Sequence, residues 1–164
     1  MTNYKWYRKK VPKELLIKQV YGIVFSKKGK VLLRLENNQY KLTGGKPESI
    51  DTSLEETLKR EYLEELNVEI EDIYYLGYLL VEEDNEKYAQ VRMIAKIKKI
   101  GKTKPDIDNG KTYKRFMAKK ENVRKYLQYK DLAGNQMVDD AIMLAKKKYH
   151  FDCNDGEDEY FVNI

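Results

Sequence analysis

Apolar positions along the chain change period several times, and each change marks an element. Residues 18–26, Lys-Gln-Val-Tyr-Gly-Ile-Val-Phe-Ser, are β-branched and aromatic and predict a buried strand. The polar turn Ser26-Lys27-Lys28-Gly29-Lys30 and the run Val31-Leu32-Leu33-Arg34-Leu35 predict its hairpin partner. Tyr40-Lys41-Leu42 predicts a short strand running into Gly44-Gly45. Ser53, with Glu56 three residues on, forms a capping-box pattern and predicts a helix start. That helix ends near Leu66, where Asn67 can take the left-handed conformation. Residues 73–82 and 87–100 predict two strands joined by the acidic loop Glu82-Glu83-Asp84-Asn85-Glu86. Residues 101–112 read as a loop, 113–118 as a short strand and 120–129 as helical. Val138, Ala141, Ile142, Ala145 and Tyr149 recur at helical spacing and predict a C-terminal helix over 135–149. Antiparallel strands mixed with two or three helices indicate an α+β or layered α/β/α domain.

The 164 residues contain no internal repeat and no linker long enough to divide them, so 1–164 reads as a single domain. Residues 1–16 form a basic N-terminal arm or first edge element, and 152–164 an acidic C-terminal tail. No run suits a membrane span or a secretory signal, which predicts a soluble, cytoplasmic protein without a membrane partner. One histidine, His150, and one cysteine, Cys153, exclude a two-histidine site and an internal disulfide. Gly101-Lys102-Thr103 and Gly110-Lys111-Thr112 lack the earlier glycine of a phosphate-binding P-loop. Asp152-Cys153-Asn154-Asp155-Gly156 does not follow the ligand spacing of a calcium loop. Trp6, Tyr75 and Tyr78 are candidates for stacking on a base, among 14 tyrosines that mostly serve the core or surface.

The net charge of +5 hides a segregation. Residues 48–86 hold 14 acids and two bases, a net −12; residues 152–164 hold five acids and no base. The remainder holds 30 bases and eight acids, a net +22. Such a pattern fits either long-range pairing or an acidic metal site ringed by cations that attract a polyanion. The basic surface also fits nucleic acid.

The first helix sharpens the choice. At about 100° per residue, Leu54, Leu58, Tyr62 and Leu66 form the stripe that buries. Glu65 falls inside that stripe, Glu61 at its edge and Glu64 just beyond. Unpaired buried carboxylates are costly, and three on one edge repel one another. Either a hard divalent cation or Lys and Arg from the basic body must compensate.

The stretch Gly44-Gly45-Lys46-Pro47-Glu48, followed by Arg60-Glu61-Tyr62-Leu63-Glu64-Glu65-Leu66-Asn67-Val68, resembles the Nudix (MutT-like) hydrolase signature, Gly-x5-Glu-x7-Arg-Glu-U-x-Glu-Glu-x-Gly-U with U apolar. Arg-Glu-x-x-Glu-Glu is present in full; Thr43 stands where Pro is usual and Asn67 replaces the last Gly. The Gly45–Arg60 spacing is one residue longer than the pattern, so Asp51 takes the first Glu position counted forward and Thr52 takes it counted back. The resemblance, over residues 17–149, implies an α/β/α sandwich with a mixed sheet. It also implies a metal-dependent pyrophosphohydrolase, using Mg²⁺ or Mn²⁺ to cleave a diphosphate bond in a nucleoside diphosphate derivative. A nucleoside triphosphate, an oxidised deoxynucleotide or a nucleotide sugar is the substrate expected. The alternatives are removal of a 5′ cap or pyrophosphate from RNA, and a non-catalytic nucleotide- or RNA-binding module. Carried over by position, Glu61, Glu65, Glu64 and the Gly44 carbonyl would hold metal. Glu64 or Glu65 would serve catalysis, and Arg60 would fix a carboxylate. Gly45, Glu48 and Asp51 would bind substrate or support the ligands. A late acid from a loop, Asp106 or Asp108, or else Glu83 or Glu86, would be a base. A homodimer is compatible with the resemblance.

Overall fold

A computed structural model describes residues 1–151 and 158–164. The strands are β1 (Asn3–Tyr7), β2 (Ile17–Phe25), β3 (Val31–Glu36), β4 (Gln39–Lys41), β5 (Thr43–Gly45), β6 (Val68–Glu83), β7 (Glu86–Ile100), β8 (Lys114–Ala118) and β9 (Tyr160–Phe161). The helices are α1 (Leu54–Leu66), α2 (Val123–Leu127) and α3 (Leu132–Lys148). One sheet runs β1-β6-β7-β2-β3-β8-β9, with β4 on β3 and β5 on β2. β2 and β7 are parallel and the other pairs antiparallel, giving the expected mixed sheet.

Alternation along the central strands builds a core on each face. Val20 and Val24 of β2 and Val91 and Met93 of β7 pack against Leu58, Tyr62 and Leu66 of α1. Ile23, Phe25 and Ile94 point the other way, onto Met137, Val138, Ala141 and Ala145 of α3. The result is an α/β/α sandwich. Ser53 caps α1 by accepting from the Glu56 N–H, and Asn67 closes it at φ 53°. The C-terminal helix starts at Leu132 rather than 135, because Asp131 accepts from the Gly134 N–H and caps it there.

Two expectations change, and one reading left open is decided. The β2–β3 hairpin closes with a single register pair, Phe25–Val31; the middle of β2 pairs instead with β5, through Tyr21–Gly44. A Cβ on Gly44 would lie 2.0 Å from the Val20 carbonyl, so glycine permits this close approach. The basic arm contains edge strand β1, held by β6 and by the Trp6 indole N–H donating to Asp140 at 2.7 Å. The acidic tail does not run free at its end, since β9 pairs with β8 and Glu159 accepts from Lys119 N–H and the Tyr126 hydroxyl. The Asp152–Gly156 segment lies outside the described residues. Among the described residues no helix is long and apolar enough to cross a membrane.

Candidate active site

α1 presents its acids toward β5 and the 101–112 loop. Arg60 organises the near end. Its Nε donates to Asp51 Oδ1 and its Nη2 to Asp51 Oδ2, each at 2.9 Å, a two-pronged grip that a guanidinium is shaped to make. Asp51 also accepts from the Glu48 N–H and the Thr57 hydroxyl. Those bonds, led by Arg60, hold its carboxyl well below the usual carboxylate range. Arg60 in turn is held above its ordinary value, first by Asp51. Of the two alignments the sequence leaves open, Asp51 rather than Thr52 is therefore the residue facing Arg60. The extra residue is absorbed in the turn between Asp51 and the helix cap.

Arg60 Nη1 reaches further, donating to Glu61 Oε1 at 3.0 Å and Glu64 Oε2 at 3.2 Å, with Glu48 at 3.4 Å. Gly45 makes room for Glu61: a Cβ there would lie 2.5 Å from its carboxylate. Glu65 sits deeper. Arg34 Nη1 of β3 lies 2.9 Å from Glu65 Oε2, off hydrogen-bond angle, and this buried oxygen accepts no hydrogen bond. Burial, then the neighbouring Glu65 charge, pushes Glu61 up to about 7 despite Arg60. Burial, with Asp106 adding repulsion against Arg34, pushes Glu65 up to about 7. Glu64 is raised as well, by burial and then by Asp108.

The loop supplies the missing face. Carboxylate oxygens of Glu64, Asp106 and Asp108 lie within 4.8 Å of one another. Asp106 is buried, and its side chain accepts from the Asp108 N–H. Of the four late acids, the structure thus brings Asp106 and Asp108 to α1. Glu83 and Glu86 pair with each other at the turn of the β6–β7 hairpin, the end of β6 remote from α1. Glu61 and Glu65 face Arg60 and Arg34 and stand outside the three-carboxylate cluster.

Of the two compensations expected of the helix acids, pairing with arginine is present. Arginines pair with the acids, yet Glu65 Oε2 stays without a donor, and three hard oxygen donors converge at Glu64. This donor set fits Mg²⁺ or Mn²⁺, which take carboxylate oxygens, and does not fit a soft metal.

Two arginines that sequence reasoning passed over matter here. Arg34 pairs with Glu65 and stacks on Tyr113. Arg115, opposite Arg34 on β8, is almost fully buried. It donates to the carbonyls of Leu66, at the end of α1, and Gly101, at the base of the loop, and to the Thr103 hydroxyl. Asn67 Nδ2 adds a bond to the Lys102 carbonyl. The available signal was a lone cation inside an apolar strand, as in Val31–Glu36. The stacking candidates do not join the site. Trp6 is bound to Asp140, Tyr75 to the Lys9 carbonyl, and Tyr78 is buried against Tyr7.

The NUDIX domain model matches residues 16–134. Solved structures share the fold. The pyrophosphohydrolase BsRppH of Bacillus subtilis superposes with a TM-score of 0.68 at 23% identity, covering 89% of this chain and 92% of its own. A NUDIX hydrolase from Nitrosomonas europaea gives 0.53 at 18%, covering 87% and 99%. The mutator MutT protein of Bacillus halodurans gives 0.52 at 21%, covering 68% and 73%. No curated protein matches the sequence.

Proposed function

The chain belongs to the Nudix family, and on that footing we propose that it hydrolyses a diphosphate bond in a small nucleoside diphosphate derivative. The observation that carries this reading is the convergence of Glu64, Asp106 and Asp108 beside Glu61 and Glu65, whose side chains are largely buried. A diphosphate is a polyanion, and carboxylates alone would repel it. Glu61, Glu64 and Glu65, with Asp106 or Asp108, would hold Mg²⁺ or Mn²⁺. When bound, such an ion neutralises phosphoryl oxygens and acidifies water.

The chain's own groups then divide the work. Asp51 pins Arg60, and Arg60 orients Glu61 and Glu64. Glu64, beside the loop acids, is suited to accept a proton from attacking water. Asp106 and Asp108, which the loop brings to Glu64, are the competing bases. Arg34, beside Glu65, is placed to counter charge on the departing phosphate. A second substrate, the triphosphorylated 5′ end of RNA, is favoured by the +22 charge outside the acidic segments and by the fold shared with a pyrophosphohydrolase. Its mark would be a steep fall in rate with salt.

The test is a turnover screen with Mg²⁺ or Mn²⁺ over nucleoside triphosphates, oxidised nucleotides, nucleotide sugars, dinucleoside polyphosphates and triphosphorylated RNA. Metal-dependent cleavage of one class, lost in Glu65→Gln, is expected. Binding without turnover in any class would instead make the chain a nucleotide-binding module.

A further inference from the structure

The loop that carries Asp106 and Asp108 is gripped by a segment more than 50 residues further along the chain. β9 pairs with β8 through Met117–Tyr160 and Phe116–Phe161. Beyond it, the Val162 N–H donates to the Arg115 carbonyl at 2.8 Å. Two residues on, the Ile164 main-chain oxygen accepts from the Thr103 N–H at 3.1 Å. Residues 159–164 therefore run from the sheet edge onto the stem of the loop.

The loop needs such a support. Residues 101–113 form neither helix nor strand. The tip is braced internally: the Asp106 N–H donates to the Lys111 carbonyl, the Gly110 N–H to the Asp106 carbonyl and the Asp108 N–H to the Asp106 side chain. These bonds hold Asp106 and Asp108 to each other and leave their distance from Glu64 to the stem. Pro105, next to Asp106, has no N–H to give. Thr103 is held on two sides, its hydroxyl by Arg115 and its N–H by Ile164.

The segment is itself held by side chains, since a two-residue strand has little hold of its own. Glu159 accepts from the Lys119 N–H at 2.9 Å, the Asn122 amide at 3.2 Å and the Tyr126 hydroxyl at 2.6 Å. The Phe161 ring lies 4.8 Å from that of Phe116, and Val162 packs on the core that contains Leu66 and Tyr113.

We propose that residues 159–164 are a strap that positions Asp106 and Asp108 against Glu64, with Glu159 and Val162 as its positioning residues. The effect on turnover rests on the hydrolase reading; the placement of the loop does not. If the segment only covered a sheet edge, its release would cost stability and leave the loop as it is.

The test uses the full chain and the variants Val162→Asp, Glu159→Ala and Glu159→Gln. Amide hydrogen exchange over 101–112 and over α1 is measured without metal, then Mn²⁺ affinity, then turnover of the nucleotide panel. Val162→Asp puts a charge against the core and expels the strap. Loop exchange should then rise about tenfold with α1 unchanged, and Mn²⁺ should bind about tenfold more weakly. kcat should fall more than KM changes. Glu159→Ala should do the same to a smaller extent. Glu159→Gln should restore the intact behaviour, because its oxygen can take the Lys119 and Asn122 donors while its amide donates to the Tyr126 hydroxyl. If Val162→Asp does not fold, Glu159→Ala and Glu159→Gln decide.

Unchanged loop exchange and Mn²⁺ affinity overturn the proposal, as does exchange that rises equally in α1, which marks general loosening. Faster loop exchange and weaker Mn²⁺ binding, without turnover by the intact chain, uphold the strap and count against the hydrolase reading. Turnover by the intact chain, equal in every variant, does the reverse.

Discussion

Arg60 and Arg92 are both largely withdrawn from water, in opposite surroundings. Arg60 on α1 touches four carboxylates, those of Asp51, Glu48, Glu61 and Glu64. Arg92 on β7 touches an amide and a tyrosine ring, and two of its nitrogens have no acceptor. The first region has more negative charge than its own cations satisfy, and the second has a cation with an amide and tyrosines for partners and, among the described residues, no carboxylate. An excess of buried charge marks where a ligand of the opposite character belongs. At the α1 edge the excess is of carboxylate oxygens, the donors a hard cation takes; at β7 it is of guanidinium N–H groups.

Removing charges from the first region tests this contrast, and the largest effect is expected at Glu65. Glu65→Gln should cut turnover by about 10²–10⁴-fold while leaving the thermal midpoint unchanged or slightly higher. Steady-state kinetics and thermal unfolding measure both. Full activity with Mg²⁺ would remove Glu65 from the site.

Arg60→Ala comes next, and it should lose stability as well as rate. It strands Asp51, Glu61 and Glu64 together, and urea unfolding should show a loss of about 2 kcal/mol. An unchanged midpoint would mean that the Asp51–Arg60 grip is not a stabilising one. The same pair sets an acid limb. The folded Asp51 carboxyl titrates below its unfolded value, so its stabilisation is present above about pH 4 and is lost as pH falls further. Asp51→Asn should flatten that limb.

Glu61 and Glu65 act with the opposite sign. Their folded values, about 7, lie above the unfolded 4.5, so the stabilisation they give is present below about pH 4.5 and fades as pH rises through 7. With chelator, the thermal midpoint should fall between pH 5 and 8. Added Mg²⁺ should recover more of it at pH 8 than at pH 5. A midpoint independent of metal at pH 8 would argue against a cation at these acids.

The smallest effect concerns the loop. Arg115→Met removes the bonds that lace Leu66 to Gly101 and Thr103, loosening Asp106 and Asp108 relative to α1. A fall of about tenfold in kcat/KM is expected, with a raised metal requirement. An unaltered metal requirement would show that the loop acids are placed without this tether.

What the sequence disclosed follows from the range of each interaction. The α1 signals are local: Ser53 with Glu56, the apolar stripe, Asn67 at the end, and the out-of-place Glu61 and Glu65 can all be read within one helix. The core strands announce themselves by composition. Long-range facts do not. Nothing local says that β2 runs parallel to β7, that β5 displaces β3 along β2, or that residues 158–164 return to β8. Arg34, Arg92 and Arg115 acquire meaning only from partners brought in by the sheet. Their single charges inside apolar strands were visible, but charge in a strand does not say whether it finds a carboxylate, a carbonyl or an amide.

The measurement closest to the central claim is metal-dependent turnover of the nucleotide panel by the intact chain and by Glu65→Gln at equal folding. The account predicts cleavage at a diphosphate bond by the intact chain, abolished by chelator and absent in the variant. Cleavage that survives both chelator and Glu65→Gln would contradict it.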